Sequence, residues 1–161
     1  MSETGRETLR CRLTERLHRE SRTEVKSMAT TQKTNREIAK QQYEAFNRGD
    51  LEECLAGLTE DITWTSPEGD PLASGTVHGP EAVMKEIWEP VMEHVDRFEV
   101  VIDRLLDDGD TVVMEGAHRA TMPDGERIEV PAVHLIDMED GKARQFTTYE
   151  DTALLEEFME K

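Results

Sequence analysis

Residues 130–155 read VPAVHLIDMEDGKARQFTTYEDTALL, two strand-like runs joined by Asp140-Gly141 and followed by a helix start at Asp151. Asp-Gly between alternating apolar runs is a strong hairpin signal, because both turn residues must accept a positive φ. The hairpin carries His134, Tyr149, Glu150 and Asp151 on or beside an otherwise apolar sheet. Polar side chains there need a reason, and a sheet-walled pocket is one.

Upstream of the hairpin the same strand pattern repeats. Phe98 to Leu106, Thr111 to Thr121 and Ile128 to Met138 are rich in Val, Ile and Leu, with turns at Asp108-Gly109-Asp110 and Pro123 to Gly125. Helical spacing dominates the preceding part of the chain. Ile38, Ala39, Gln42, Tyr43 and Phe46 share one face, and Gly49 is placed to stop that helix. Asp50 with Glu53 makes a capping box for a second helix with Leu51, Cys54, Leu55 and Leu58 on its apolar side. Ile62, Trp64 and Ser66 alternate as a strand, and a Pro/Gly-rich loop follows to Gly75. Pro80 then opens a third helix, which packs through Val83, Met84, Ile87 and Trp88, with Pro90 bending or ending it. Asp151 caps a C-terminal helix. Helices followed by a meander of antiparallel strands imply an α+β domain, with helices on one face of a curved sheet.

The chain has 161 residues and a formal net charge of −17, unevenly spread. Residues 1–33 hold eight basic and five acidic side chains, whereas residues 34–161 hold 11 basic and 31 acidic. So acidic a domain repels nucleic acid and anionic membrane, so neither is an expected partner. With only six lysines in the chain, the excess of carboxylates fits adaptation to a salt-rich cytoplasm, where self-repulsion is screened; an ordinary acidic protein is the alternative. Leu9, Leu13 and Leu17 allow a thin amphipathic helix in the basic leader, residues 1–33. Its narrow stripe favours a disordered tail ahead of one domain, 34–161. Cys11 and Cys54 do not make a disulfide framework, and no apolar run reaches membrane-spanning length. A cytoplasmic protein is expected. The histidines have no ligand spacing, so neither metal nor cofactor is expected.

From about Asn35 to Phe158 the order of elements resembles the nuclear-transport-factor-2-like superfamily, and within it the SnoaL-like, ketosteroid-isomerase-related group. YEAFNRGDLEECLAGLTEDITWTSPEG at the front, GPEAV at the third helix and the 130–155 hairpin carry the resemblance. It implies a cone-shaped, cystatin-like α+β fold holding a small hydrophobic molecule, and a homodimer formed through the outer face of the sheet. Fold alone does not transfer a reaction. The isomerase base would fall at Ser66, ahead of Pro67, and the oxyanion-donating Asp near Val133, so classical steroid isomerisation is not expected. Tyr43 is the counterpart of the isomerases' first-helix Tyr, one residue out of register.

Several side chains are candidates for a site. By the isomerase comparison Val133 faces the cavity, which puts His134 on the opposite face, at a dimer interface or as a satisfied structural residue. Its imidazole nevertheless makes it a candidate acid–base group. Tyr149, sharing parity with Ala143, Gln145 and Thr147, is the expected hydrogen-bond donor at the cavity rim. Glu68, in the loop after the first strand, is a candidate base or simply a solvated carboxylate. Tyr43, Trp64, Trp88, His118 and Val133 are expected to line the pocket, and Arg119 is a cross-strand charge partner. The leading function is a cofactor-independent acid–base enzyme, an isomerase, cyclase or hydrolase of a small hydrophobic substrate. A non-catalytic ligand-binding or dimerisation module of the same fold is the alternative.

Overall fold

The computed structural model describes residues 32–160. The chain divides into two units, Met1–Thr34 and Asn35–Lys161, and the account below concerns the second. The helix expected around Leu9 to Leu17, Cys11 and the tail reading of the leader lie outside the described residues.

Helix α1, Asn35–Asn47, buries Ala39, Tyr43 and Ala45. It ends in a Schellman motif: the Gly49 N–H donates to the Phe46 carbonyl and the Asp50 N–H to that of Ala45, with Gly49 at φ 82°. Asp50 then caps α2, Leu51–Ala56, by accepting from the Glu53 N–H at 3.1 Å. The reciprocal half of the expected capping box is not made. The Asp50 N–H is already spent on Ala45, and the Glu53 carboxylate pairs with Arg48 instead. Leu58 does not continue the helical stripe; it opens strand β1, Leu58–Ser66.

The remaining elements are β2, Gly75–His78, which was not foreseen between the Pro/Gly-rich loop and the third helix, and a helical run α3 over residues 80–94. Strands β3 (Arg97–Asp108), β4 (Thr111–Thr121), β5 (Arg127–Glu139) and β6 (Lys142–Glu150) follow, and α4, Thr152–Met159, ends the fold. Pro90 does not end α3. A π-helical stretch, Val83–Trp88, returns to α geometry at Glu89. Pro90 therefore falls in the first turn of the resumed helix, where a missing N–H costs little. Asp151 caps α4 by accepting from the Leu154 N–H at 3.1 Å.

The six strands form one sheet in the order β2-β1-β6-β5-β4-β3. It is not a pure antiparallel meander, because β1 runs parallel to β6. Two bulges decide which side chains enter the concave face. In β3 an extra residue at Asp103 shifts the pairing between Ile102 and Arg104. In β6, Asp137 pairs with Gln145 but Met138 with Ala143, so Arg144 is the extra residue. A bulge increases local twist and inverts the alternation beyond it. Ala143 therefore faces inward, and so do Phe146, Thr148 and Glu150, whereas Tyr149 points out. Glycine is required opposite the first bulge: a Cβ on Gly116 would stand 1.9 Å from the Val101 carbonyl oxygen.

Candidate active site

The core does not fill the concavity of the sheet. A cavity of about 170 Å³ remains under α1, α3 and α4, well beyond the ~10–15 Å³ that one water needs. Most of its wall is apolar, and aromatic rings organise it. Trp64 stacks on Phe146 with centroids 3.8 Å apart and planes within 6°. Trp64 also meets Trp88 edge-on; Trp88 meets Phe46, and Phe46 meets Phe98. Phe98 lies against His118, His118 against His134, and His134 against Phe146. These seven rings form a closed circuit, and all seven border the cavity. The three edge-to-face contacts, Trp64–Trp88, Trp88–Phe46 and Phe46–Phe98, suit the ring quadrupoles.

The titratable oxygen and nitrogen groups of that wall fall on one line across it. The Tyr43 hydroxyl lies 2.8 Å from His134 Nδ1. His134 Nε2 lies 2.8 Å from His118 Nε2, and His118 Nδ1 lies 2.9 Å from Glu150 Oε2. Glu150 in turn shares a hydrogen bond with Asp70, from the loop between β1 and β2. The strands explain why the imidazoles can meet. His118 and His134 sit two residues to either side of the Gly116–Ala132 pair, whose side chains amount to a single methyl, so the larger rings can lean together over it.

Burial sets the charges along this line. Desolvation, helped by repulsion from a charged His118, pushes His134 well below the usual histidine range, so it stays neutral. Desolvation also raises the Tyr43 phenol far above its ordinary value. For Glu150 burial pushes upward, but the hydrogen bond and charge of His118, with the Asp70 hydrogen bond, hold the carboxyl below its usual range. Asp70 is raised, by burial first and by the neighbouring Glu150 charge, against the lowering effect of the Leu72 and Ala73 N–H groups. The pair thus divides into an ionised Glu150 and a more proton-retentive Asp70. Among the described residues no Lys or Arg borders the cavity.

The positions of the candidates named from sequence follow from this geometry. Tyr43, Trp64, Trp88, His118 and His134 are brought together at the cavity. Val133 is not; His134 takes the inward parity, so the isomerase-based register was off by one and Val133 lies on the outer face with Tyr149. Tyr149 is 57% exposed, turned out by the Arg144 bulge, so it cannot be the donor at the cavity rim. Glu68 is exposed and does not border the cavity. Arg119 pairs with Glu129 across the β4–β5 ladder, as read from the sequence. Sequence reasoning missed Asp70, Glu150, Phe46, Phe98 and Phe146. Glu150 had a signal, a carboxylate ending an apolar strand, but the unseen bulge gave it the wrong face. Asp70 sits in a loop with no periodicity to read.

Comparison with known proteins agrees with this architecture. Residues 39–146 match the model of the SnoaL-like domain. The chain belongs to the SnoaL-like family. An NTF2-like protein of unknown function from Burkholderia pseudomallei K96243 is 32% identical, over 77% of this chain and 95% of that one, with a TM-score of 0.69. A second NTF2-like protein, from Burkholderia thailandensis E264, is 27% identical over 80% and 98%, with a TM-score of 0.73. TerC, co-crystallised with polyporic acid, is 30% identical over 79% and 98%, with a TM-score of 0.71. No curated protein matches the chain. Among the described residues no helix is long and apolar enough to cross a membrane, and no cluster of His, Cys, Asp and Glu is arranged to hold a metal ion.

Proposed function

We propose that this SnoaL-like protein is a cofactor-independent acid–base enzyme acting on a small, flat, hydrophobic molecule. The observation that carries the reading is the His118–Glu150 pair opening into an aromatic cavity. In that pair the histidine side chain is 16% and the carboxylate 5% exposed. An ionised carboxylate on Nδ1 fixes the imidazole tautomer and stabilises the imidazolium formed when the ring takes a proton. His118 is the acid–base group, Glu150 its orienting partner, and Asp70 the hydrogen-bonding partner that keeps Glu150 in place. The aromatic circuit supplies stacking faces. The similarity to TerC, crystallised with polyporic acid, supports a small organic ligand in this cavity.

A cavity whose described lining holds no Lys or Arg favours a substrate that enters uncharged, since a buried anion there meets no fixed cation among those residues. Isomerisation, cyclisation and hydrolysis all fit a single acid–base pair. Native mass spectrometry of purified protein, followed by incubation with the molecule recovered, tests the reading. His118→Gln and Glu150→Gln should each lower turnover by ~10²–10⁴-fold, the usual contribution of a positioned acid or base. Full turnover in both variants would overturn the assignment.

The second reading, a non-catalytic ligand-binding module, draws on Ser66, which borders the cavity where the isomerases carry their base. A tight ligand recovered unchanged, with the His118 and Glu150 variants altering only its affinity, is the outcome that reading predicts.

A further inference from the structure

Glu150 is ionised and can only accept, so His118 Nδ1 carries a proton and donates to it. With that single proton on His118, its Nε2 is an acceptor. His134 must then donate from Nε2, which leaves His134 Nδ1 as the acceptor for the Tyr43 O–H. With two protons on His118 the bond to Glu150 is unchanged and the two bonds beyond His118 reverse. His118 Nε2 donates to His134 Nε2, His134 carries its proton on Nδ1, and it donates to the Tyr43 oxygen. The two arrangements differ by one proton and by the direction of the His118–His134–Tyr43 bonds, and in the second the Tyr43 hydroxyl proton no longer points at His134.

We propose that Tyr43 is a proton-accepting port of the site and that His134 relays the proton it takes to His118. A substrate proton passes to the Tyr43 oxygen as the Tyr43 hydroxyl proton moves to His134 Nδ1 and the His134 Nε2 proton moves to His118 Nε2. The electron pair of the broken substrate bond stays on the substrate. Tyr43 and His134 end neutral, and the positive charge rests on His118 beside the Glu150 carboxylate. The reverse sequence returns the proton. Tyr43 on α1 is then where the proton enters and leaves, and His118 on β4 holds it in between. That suits a reaction that removes a proton at one atom of the substrate and returns it at another within reach of the Tyr43 oxygen.

The surroundings favour this path over a charge held midway. The titratable groups at the cavity are Tyr43 from α1, Cys54 from α2, Asp70 from the β1–β2 loop, His118 from β4, His134 from β5 and Glu150 from β6. The lining contributed by α3, α4 and β3 is uncharged, including Trp88, Phe158 and Phe98. Burial and nearby acids push the Cys54 thiol up to about 11, and it donates to the Gln42 carbonyl, so it is no rival acceptor. The ionised Glu150 lies at the His118 end of the line, where the proton's charge is best placed.

The relay rests on the acid–base reading of His118, but its test needs no substrate. In protein labelled with ¹⁵N-histidine, long-range ¹H–¹⁵N spectra report which ring nitrogen carries the proton, and His118→Gln and His134→Gln assign the signals. As the pH is lowered, His134 should stay neutral and switch from the Nε2–H to the Nδ1–H form in those molecules whose His118 shows protons on both ring nitrogens. In Tyr43→Phe the Nδ1–H form has no acceptor. His134 should then keep its Nε2 proton over the same pH range. A His134 that holds one tautomer throughout, that charges in the same step, or that switches equally well in Tyr43→Phe would overturn the relay. None of those results bears on whether His118 and Glu150 variants lose turnover, so the two proposals fail separately.

Discussion

His134 shows how one buried side chain ties function to stability. Its folded form resists protonation while the unfolded chain takes a proton near the ordinary histidine value, ~6.5. Below that pH the unfolded state binds more protons than the folded one. Stability should therefore fall as pH drops from about 6.5 towards the depressed folded value, by up to about 1.4 kcal/mol per pH unit. Two carboxyls act lower down with opposite signs. Glu150, depressed, loses its stabilising effect as pH falls through its folded value, whereas Asp70, raised, binds its proton more tightly when folded and gains. The His134 contribution can be isolated by subtraction. Urea unfolding at pH 7.5, 6.5 and 5.5 should show a steep loss in the natural protein and a flatter one in His134→Gln, starting from a lower stability at pH 7.5. Parallel slopes in the two proteins would mean that His134 is not kept neutral by the fold.

Strands and helices were legible in the sequence wherever a periodic pattern met a clean stop. Gly49, Asp50 and Asp151 end or cap helices as their side chains dictate, and Asp140-Gly141 makes the hairpin. The faces of the strands were less legible, because alternation is only as good as the count of residues. The extra residue at Arg144 leaves no compositional mark, yet it turns Tyr149 out and Glu150 in. For β5 the error came from anchoring Val133 to a distant family position; its own pattern of Val130, Ala132, His134 and Ile136 was an intact buried face. Asp70 and the aromatic circuit depend on contacts between elements far apart in the chain, which no local pattern encodes. Gly116 belongs to the same class. In sequence it is only a small residue inside a strand, and the structure shows its reason, the close approach of the Val101 carbonyl. Gly116→Ala must push β3 and β4 apart at the bulge that curves the sheet. A loss of about 1–3 kcal/mol or more is expected, as for an overpacked core. Thermal unfolding would reveal it, and a melting temperature equal to that of the natural protein would show that the strands yield freely.

The molecule as a whole is governed by its charge. Even if every basic side chain of residues 34–161 took one acidic partner, twenty acidic side chains would have none. The cross-strand pairs that do form, such as Arg104 with Glu115 and Arg119 with Glu129, are largely exposed and contribute little each. Net repulsion of this size opposes the compact state and opposes association of two copies. Exposed apolar side chains on the outer face of the sheet, Leu135 and Tyr149 among them, favour association through that face, and a homodimer remains our proposal for the assembly. Salt changes the balance between the two effects. Raising KCl from ~0.01 M to ~1 M shortens the screening length from ~30 Å to ~3 Å, which removes most repulsion between surface carboxylates but little of the buried His118–Glu150 attraction. The melting temperature should therefore climb steadily with KCl. A gain of about 1 kcal/mol corresponds to roughly 2–8 °C for a domain of this order of size. In light scattering at fixed protein concentration, the dimer fraction should rise over the same range. A melting temperature flat above ~0.1 M KCl would point to an ordinary acidic protein, whose charge is already screened at that ionic strength, and would remove the case for adaptation to a salt-rich cytoplasm.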